Sequence, residues 1–106
     1  MKPFRLQDMH GGWFVGDFLP TCLKTPVAEV AYKIYQAGQS EPRHVHRVAT
    51  EVTLVAYGRV RMNDRELSGG DIIVLNPGED SSFEAIEASA TVVVKLPSVA
   101  GDKYPI

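Results

Sequence analysis

A chain of 106 residues has room for one domain with a real hydrophobic core and too little for a second. It is 44% hydrophobic and 23% charged with a formal net charge of −2, which is globular usage, and apolar runs such as Ile72–Leu75 are far too short to span a membrane. The eleven Lys and Arg residues are scattered among thirteen acids, so no basic stripe marks a nucleic-acid surface, and neither nucleic acid nor membrane is expected as a partner.

The first residues, Met1–Asp8, develop no apolar stretch of the kind a secretory signal carries, and a cytoplasmic location is expected. Strand signals begin at Trp13–Phe18 and recur at Ala28–Gln36, Arg43–His46, Glu51–Tyr57, Val60–Asn63, Glu66–Leu67, Ile72–Leu75, Ser82–Ala85 and Ala90–Leu96. These segments are rich in Val, Ile, Thr and Tyr and are separated by Gly, Pro, Asn and Asp, while no stretch keeps apolar residues at helical spacing. Asn63-Asp64 has the chemistry of a tight hairpin. Gly69-Gly70-Asp71 and Asn76-Pro77-Gly78 bracket Ile72–Leu75, which reads as a short buried strand. Short strands with frequent turns predict an all-β sandwich or barrel. Ser98–Ile106 reads as a tail that wraps the surface, the simpler reading, or reaches a partner subunit. The single cysteine, Cys22, forms no intrachain disulfide and reads as a partly buried apolar residue.

The residues with chemistry lie in one short stretch. His44 and His46 are two apart, so on an extended strand both imidazoles project from the same face. Glu51 lies at odd spacing beyond them, and only a turn or bulge within Arg47–Thr50 can bring it to the same side, from the neighbouring strand. A helix would also unite His44 and Glu51, but it would aim His46 elsewhere, and Pro42 with Val48, Thr50, Val52 and Thr53 opposes it. Two imidazoles and a carboxylate suit a divalent metal such as iron, manganese, nickel, cobalt or zinc, with positions left for water or substrate.

The spacing around these residues resembles a known family. Gly38, His44, His46, Glu51 and Gly58 stand in the order and spacing of the first cupin motif, and Gly70, Asn76, Pro77 and Gly78 look like the second. The resemblance covers roughly residues 28–97 and implies a single cupin domain over 1–106. The implied fold is a jelly-roll β-barrel of six to eight strands, the double-stranded β-helix of RmlC-like proteins, usually a homodimer. It implies His44, His46 and Glu51 as metal ligands. It also marks a departure, because metal-binding cupins place a further histidine three residues after the second motif's last glycine, and here that residue is Ser81. The implied function is metal-dependent chemistry on a small organic molecule, such as oxygenation, isomerisation or epimerisation. The alternative is a non-catalytic module that binds a sugar or metabolite, with or without metal.

Four residues are expected to contact that ligand: Lys33 and Tyr35, which share one face of their strand, Ser81, and Arg61 if its strand parity turns it inward. His10-Gly11-Gly12-Trp13 is a candidate lid or, more simply, a loop and a core or interface tryptophan. Glu79, Asp80 and Glu84 flank the vacant histidine position and read as solvated residues.

Overall fold

The structure, a computed structural model that describes residues 1–106, has eleven strands and one 3-10 turn, Leu6–Asp8. In chain order the strands are β1 (Trp13–Gly16), β2 (Leu23–Lys24), β3 (Glu29–Tyr35), β4 (Ser40–Val45), β5 (Thr50–Tyr57) and β6 (Arg59–Met62). They continue with β7 (Arg65–Ser68), β8 (Ile72–Leu75), β9 (Asp80–Ala85), β10 (Ser89–Leu96) and β11 (Tyr104–Pro105). Each of the nine expected strands is present, with ends moved by at most three residues. The two unexpected ones, β2 and β11, are two residues long, below what alternation can signal. The strands form a six-stranded sheet in the order β2-β1-β3-β10-β5-β8 and a five-stranded sheet in the order β11-β4-β9-β6-β7. Only β1 and β2 run parallel. The architecture is the all-β jelly roll expected, with more strands than the six to eight anticipated.

Turn chemistry sets where the chain reverses. Asn63 and Asp64 have φ of 49° and 64°, the left-handed pair a two-residue hairpin requires, and they place Met62 opposite Arg65. Gly58 joins β5 to β6 with φ of 84°, and a Cβ there would lie 2.3 Å from the Ala88 carbonyl oxygen. No other residue fits that corner.

The apolar core fills one end of the space between the sheets. Val55 and Leu75 of the first sheet meet Val60, Met62, Leu67, Phe83 and Ala85 of the second, each large side chain contributing about 2 kcal/mol by burial. Tyr35 packs on the edge of this cluster, its ring centroid 4.5 Å from that of Phe83. The strand Ile72–Leu75 is not buried as expected. Only Leu75 is enclosed, while Ile72 and Val74 face outward and are exposed.

The tail wraps the barrel as expected and is anchored by Asp102, a carboxylate only 3% exposed. Its Oδ1 accepts from the Arg47 amide at 2.8 Å, its Oδ2 from the Ala49 amide at 2.9 Å, and both oxygens lie 3.2 Å from the Val48 amide. Two residues on, Tyr104 stacks 3.8 Å under the Arg47 guanidinium and pairs with Val45 of β4. Burial pushes the Asp102 carboxyl up, but the amides of Ala49, Arg47 and Val48 outweigh it and hold the pKa below the ordinary 3.8. A carboxylate held low stabilises the fold above pH 3.8, and that contribution is lost as pH falls through the folded-state value. Asp102→Asn keeps the shape but loses the charge, and is expected to cost about 2 kcal/mol in urea unfolding at neutral pH. The gap between wild type and variant should close as the titration is carried below pH 3.8.

Candidate functional site

The three candidate ligands reach one interior by two departures from regular strand geometry. The first is a register shift between Glu41 and His44 where β4 pairs with β9. Pro42 sits inside it, where its missing N–H costs no ladder hydrogen bond. The shift turns Glu41 and His44 to the same side although they are three apart, and His46 follows two residues later. The second is the turn Arg47–Ala49, the reset the odd spacing requires, held by Asp102. It carries the chain into β5, which does not neighbour β4 as expected but belongs to the other sheet. Glu51 therefore faces the histidines across the barrel.

The resulting geometry is close but not convergent. The His44 and His46 ring centroids are 5.0 Å apart and nearly edge to face, at 66°, and His46 Nδ1 lies 3.8 Å from Glu51 Oε2. The His44 Nδ1 is 3.0 Å from the Pro42 carbonyl oxygen. Since a carbonyl only accepts, that nitrogen carries the proton, and in the neutral ring Nε2 keeps a free lone pair that can accept a hydrogen bond or bind a metal. As the side chains stand, no three His, Cys, Asp or Glu groups lie close enough to share a metal ion.

All three line a cavity of about 410 Å³ inside the barrel, together with Trp13, Phe18, Glu29, Lys33, Tyr35, Glu41, Thr53, Ser81, Thr91, Lys95 and Lys103. Its walls carry both signs of charge. Lys95 Nζ lies 3.2 Å from Glu29 Oε1, both side chains almost enclosed, and the second Glu29 oxygen accepts from Ser98 Oγ at 2.7 Å. Lys33 Nζ and the Tyr35 hydroxyl both donate to Glu41 Oε1 at 3.3 Å. The Lys33 and Lys95 ammonium groups each stand 5.5 Å from the Trp13 ring centroid. Burial, the Lys95 ammonium and the neighbouring His44 and Lys103 push His46 down to about 4, so its ring is neutral at physiological pH. Burial raises the Glu51 carboxyl, with Lys95 pulling the other way. Burial likewise pushes Glu41 up, but the Lys33 ammonium outweighs it and holds that carboxyl below its ordinary value. Burial, followed by the charge of Glu41, pushes the Tyr35 hydroxyl up, so it remains a proton donor.

Of the residues expected to contact ligand, Lys33, Tyr35 and Ser81 line this cavity, Ser81 directly opposite His44 in the β4–β9 ladder. Arg61 does not. The parity of β6 buries Val60 and Met62 and sends Arg61 outward, where it pairs with Glu84 at 3.5 Å. Asp80 and Glu79 are also outside, engaged with Arg43 and the Asn76 amide respectively. Trp13 forms part of the wall, and His10 of the adjoining loop borders the cavity. Glu29, Glu41 and Lys95 went unforeseen. For Glu29 and Lys95 the signal is parity: Glu29, Lys33 and Tyr35 share one face of β3, Thr91 and Lys95 one face of β10, and in both strands the opposite face is apolar.

No protein-family model matches this chain, and no curated protein matches it. Known structures do. An uncharacterized conserved protein with a double-stranded β-helix domain from Klebsiella pneumoniae superposes with a TM-score of 0.70 at 22% identity, covering 94% of this chain and 88% of that one. An RmlC-like cupin from Shewanella frigidimarina gives 0.68 at 18% identity, over 72% and 71% of the two chains. Oxalate decarboxylase from Bacillus subtilis, described with Mn(II) centres, gives 0.67 at 15% identity over 77% of this chain and 25% of that larger one. The fold is thus that of the cupins, a double-stranded β-helix. At such identities the likeness defines the fold and leaves the chemistry to this chain's own residues.

Breaking one partner of a nearly enclosed ion pair strands the other charge. Lys95→Met is accordingly expected to lose about 3 kcal/mol of stability in urea unfolding, and Glu29→Gln combined with Lys95→Met to recover most of it. Additive losses in that double-mutant cycle would show that the pair is not coupled.

Proposed function

We propose that this protein binds a small polar organic molecule inside its barrel and acts on it with a divalent metal held by His44, His46 and Glu51. The observation that supports the reading is the placement of two imidazoles and a carboxylate on the wall of one interior cavity, with His46 and Glu51 3.8 Å apart. The donor set fits such a metal in kind. His44 is oriented by the Pro42 carbonyl with Nε2 free, His46 is kept neutral by burial, and the carboxylate supplies the anionic donor. Bacillus subtilis oxalate decarboxylase, which shares the fold, is described with Mn(II) centres, in keeping with a metal here. Bound there, the metal would supply Lewis acidity.

The chain's own residues do the rest. Trp13, Phe18 and Phe83 offer the ligand apolar surface, while Lys33, Tyr35 and Glu41 form a hydrogen-bonded set on the same wall. The Lys95 ammonium faces His46 and Glu51 closely enough to shift both, so it would meet an anionic group of a ligand lying beside them. With Ser81 standing where metal-binding cupins carry histidine, a metal held by His44, His46 and Glu51 would have three protein donors.

A second reading rests on one specific feature. Lys95 already places a positive charge beside the donors, so the barrel serves equally as a metal-free binding or sensor module, with His44, His46 and Glu51 as hydrogen-bonding groups. Metal analysis of purified protein, after incubation with Mn(II), Fe(II), Co(II), Ni(II) or Zn(II) and desalting, separates the two. One equivalent of metal in the wild type, lost in His44→Ala and Glu51→Ala while both remain folded by circular dichroism, is the expected result. Metal-free wild type after every incubation would overturn the metal reading in favour of the second.

A further inference from the structure

The chamber is divided between two kinds of wall. Trp13, Phe18, Leu19, Met62, Phe83 and Val93 line it with apolar surface, and three ammonium groups, Lys33, Lys95 and Lys103, border it from β3, β10 and the tail. Uncharged polar side chains are few, Thr53, Ser81, Thr91 and Tyr35, and no amide side chain is among them. A sugar would leave many of its hydroxyl groups without partners in such an interior.

Two of the ammonium groups have bonding capacity to spare. Lys95 is only 8% exposed, yet an ammonium carries three N–H donors and its one ion-pair partner is Glu29, whose second oxygen is taken by Ser98. Lys103 forms no ion pair: Glu41 is engaged by Lys33 and Glu29 by Lys95, while Glu51 stands beside His46. Among the residues that line the cavity, only His10, Leu19 and Lys103 are exposed, so these three mark its mouth.

The apolar side of that mouth is held in place from within. Ser98 Oγ, which donates to Glu29 Oε2 at 2.7 Å, accepts from the Asp17 amide at 2.9 Å. This ties the segment carrying Phe18 and Leu19 to the Glu29–Lys95 pair. Gly16 leaves room for Phe18 to turn back, since a Cβ there would collide with the Phe18 ring. Leu19 nonetheless stays 78% exposed, an apolar side chain at the rim of a cavity with nothing covering it.

We infer that the small molecule proposed for this barrel is an organic acid with an apolar body, its carboxylate at Lys95 and Lys103 and its hydrocarbon part against Trp13, Phe18 and Leu19. That assignment depends on the barrel being a small-molecule site and narrows its ligand to one class. A carboxylate accepts several charge-assisted hydrogen bonds at once, so one group can meet both lysines. The Trp13 ring centroid lies 5.5 Å from the Lys95 ammonium, close enough for one small molecule to touch both. The cavity of about 410 Å³ has room for a six-membered ring with its substituent.

Trp13 is the chain's only tryptophan, so its fluorescence reports occupancy of the chamber. Cyclohexanecarboxylate, cyclohexanecarboxamide and glucuronate share a six-membered ring and differ in charge and polarity. Titrated into the full chain, as purified and again after treatment with EDTA, cyclohexanecarboxylate is expected to bind about tenfold more tightly than the amide, which lacks the charge, and than glucuronate, which lacks the apolar body. Lys103→Met is expected to weaken the acid roughly fivefold and to leave the amide unchanged, while Lys103→Arg binds as the wild type does. That side chain is exposed, so neither change touches the core. Equal binding of acid and amide, a preference for glucuronate, or no response to the acid at millimolar concentration would each overturn the inference. A Lys103→Met protein that holds the acid as tightly as the wild type would overturn it as well. The comparison in EDTA-treated protein is independent of metal uptake: a chain that takes up no metal but prefers the acid loses the metal from its proposed function and keeps the ligand class.

Discussion

The site depends on one turn. His44 and His46 leave β4 on one parity, Glu51 enters β5 on the other, and the three residues Arg47–Ala49 must convert one into the other while crossing between sheets. A turn of that kind exposes three consecutive amide N–H groups with no ladder to join, and left buried and unpaired each would cost ~1–3 kcal/mol. Asp102 removes that cost with a single carboxylate that meets all three. The constraint runs over more than fifty residues of sequence, so the geometry of a site near the middle of the chain is fixed by its end. The same segment contributes Lys103 to the cavity and β11 to the edge of β4. The tail is therefore part of the site's construction.

The interior the turn serves is energetically unusual. Lys95 with Glu29 and Lys33 with Glu41 place four charges on the walls of a small barrel, and each pair gives back in Coulomb attraction only part of what desolvation costs. Packed apolar side chains at the same positions would hold two sheets together at least as well. The charges are instead kept apart from the apolar core, which occupies the end of the barrel around Val55, Val60 and Phe83. One end of the sandwich stabilises the fold and the other remains a polar chamber. Tyr35 marks the boundary, its ring on Phe83 and its hydroxyl on Glu41.

Much of this was legible in the sequence, and the misses have one cause. Strand positions follow from alternation and from Gly, Pro, Asn and Asp at the turns, and Asn63-Asp64 behaves as those residue types dictate. The positions of His44, His46 and Glu51 followed from parity and one required turn, although not the crossing to the opposite sheet, which pairing alone does not encode. The errors arise where alternation is read with the usual rule that the apolar set faces in. In β3 and β10 both parities occur, one apolar and one charged, and the apolar set is the outer one. Hence Ile72 and Val74 were expected inside, and Glu29 and Lys95 were overlooked. In β6 the usual rule holds, so Arg61 faces solvent. The register shift at Pro42 hid Glu41 for a related reason, because a bulge changes parity without leaving a strong local mark.

The charged inner set and the apolar outer set are linked through one backbone. Because successive residues of a strand alternate faces, a sheet that gives much of its inner face to charged and hydroxyl groups, beside Val55 and Leu75 at the core end, carries most of its remaining apolar residues, which give β-strands their packing energy, on its outer face. A sheet polar on both sides would have little hydrophobic reason to form, since strand pairing by itself is weakly stabilising in water. Val30, Tyr32, Val52, Leu54, Val92 and Val94 supply that energy by cross-strand contact within the sheet, leaving Ile34, Ile72 and Val74 extending past it into solvent. The exposed apolar face is thus the structural counterpart of the polar cavity: moving the charges inward to meet a ligand obliges the strands to carry their hydrophobic side outward.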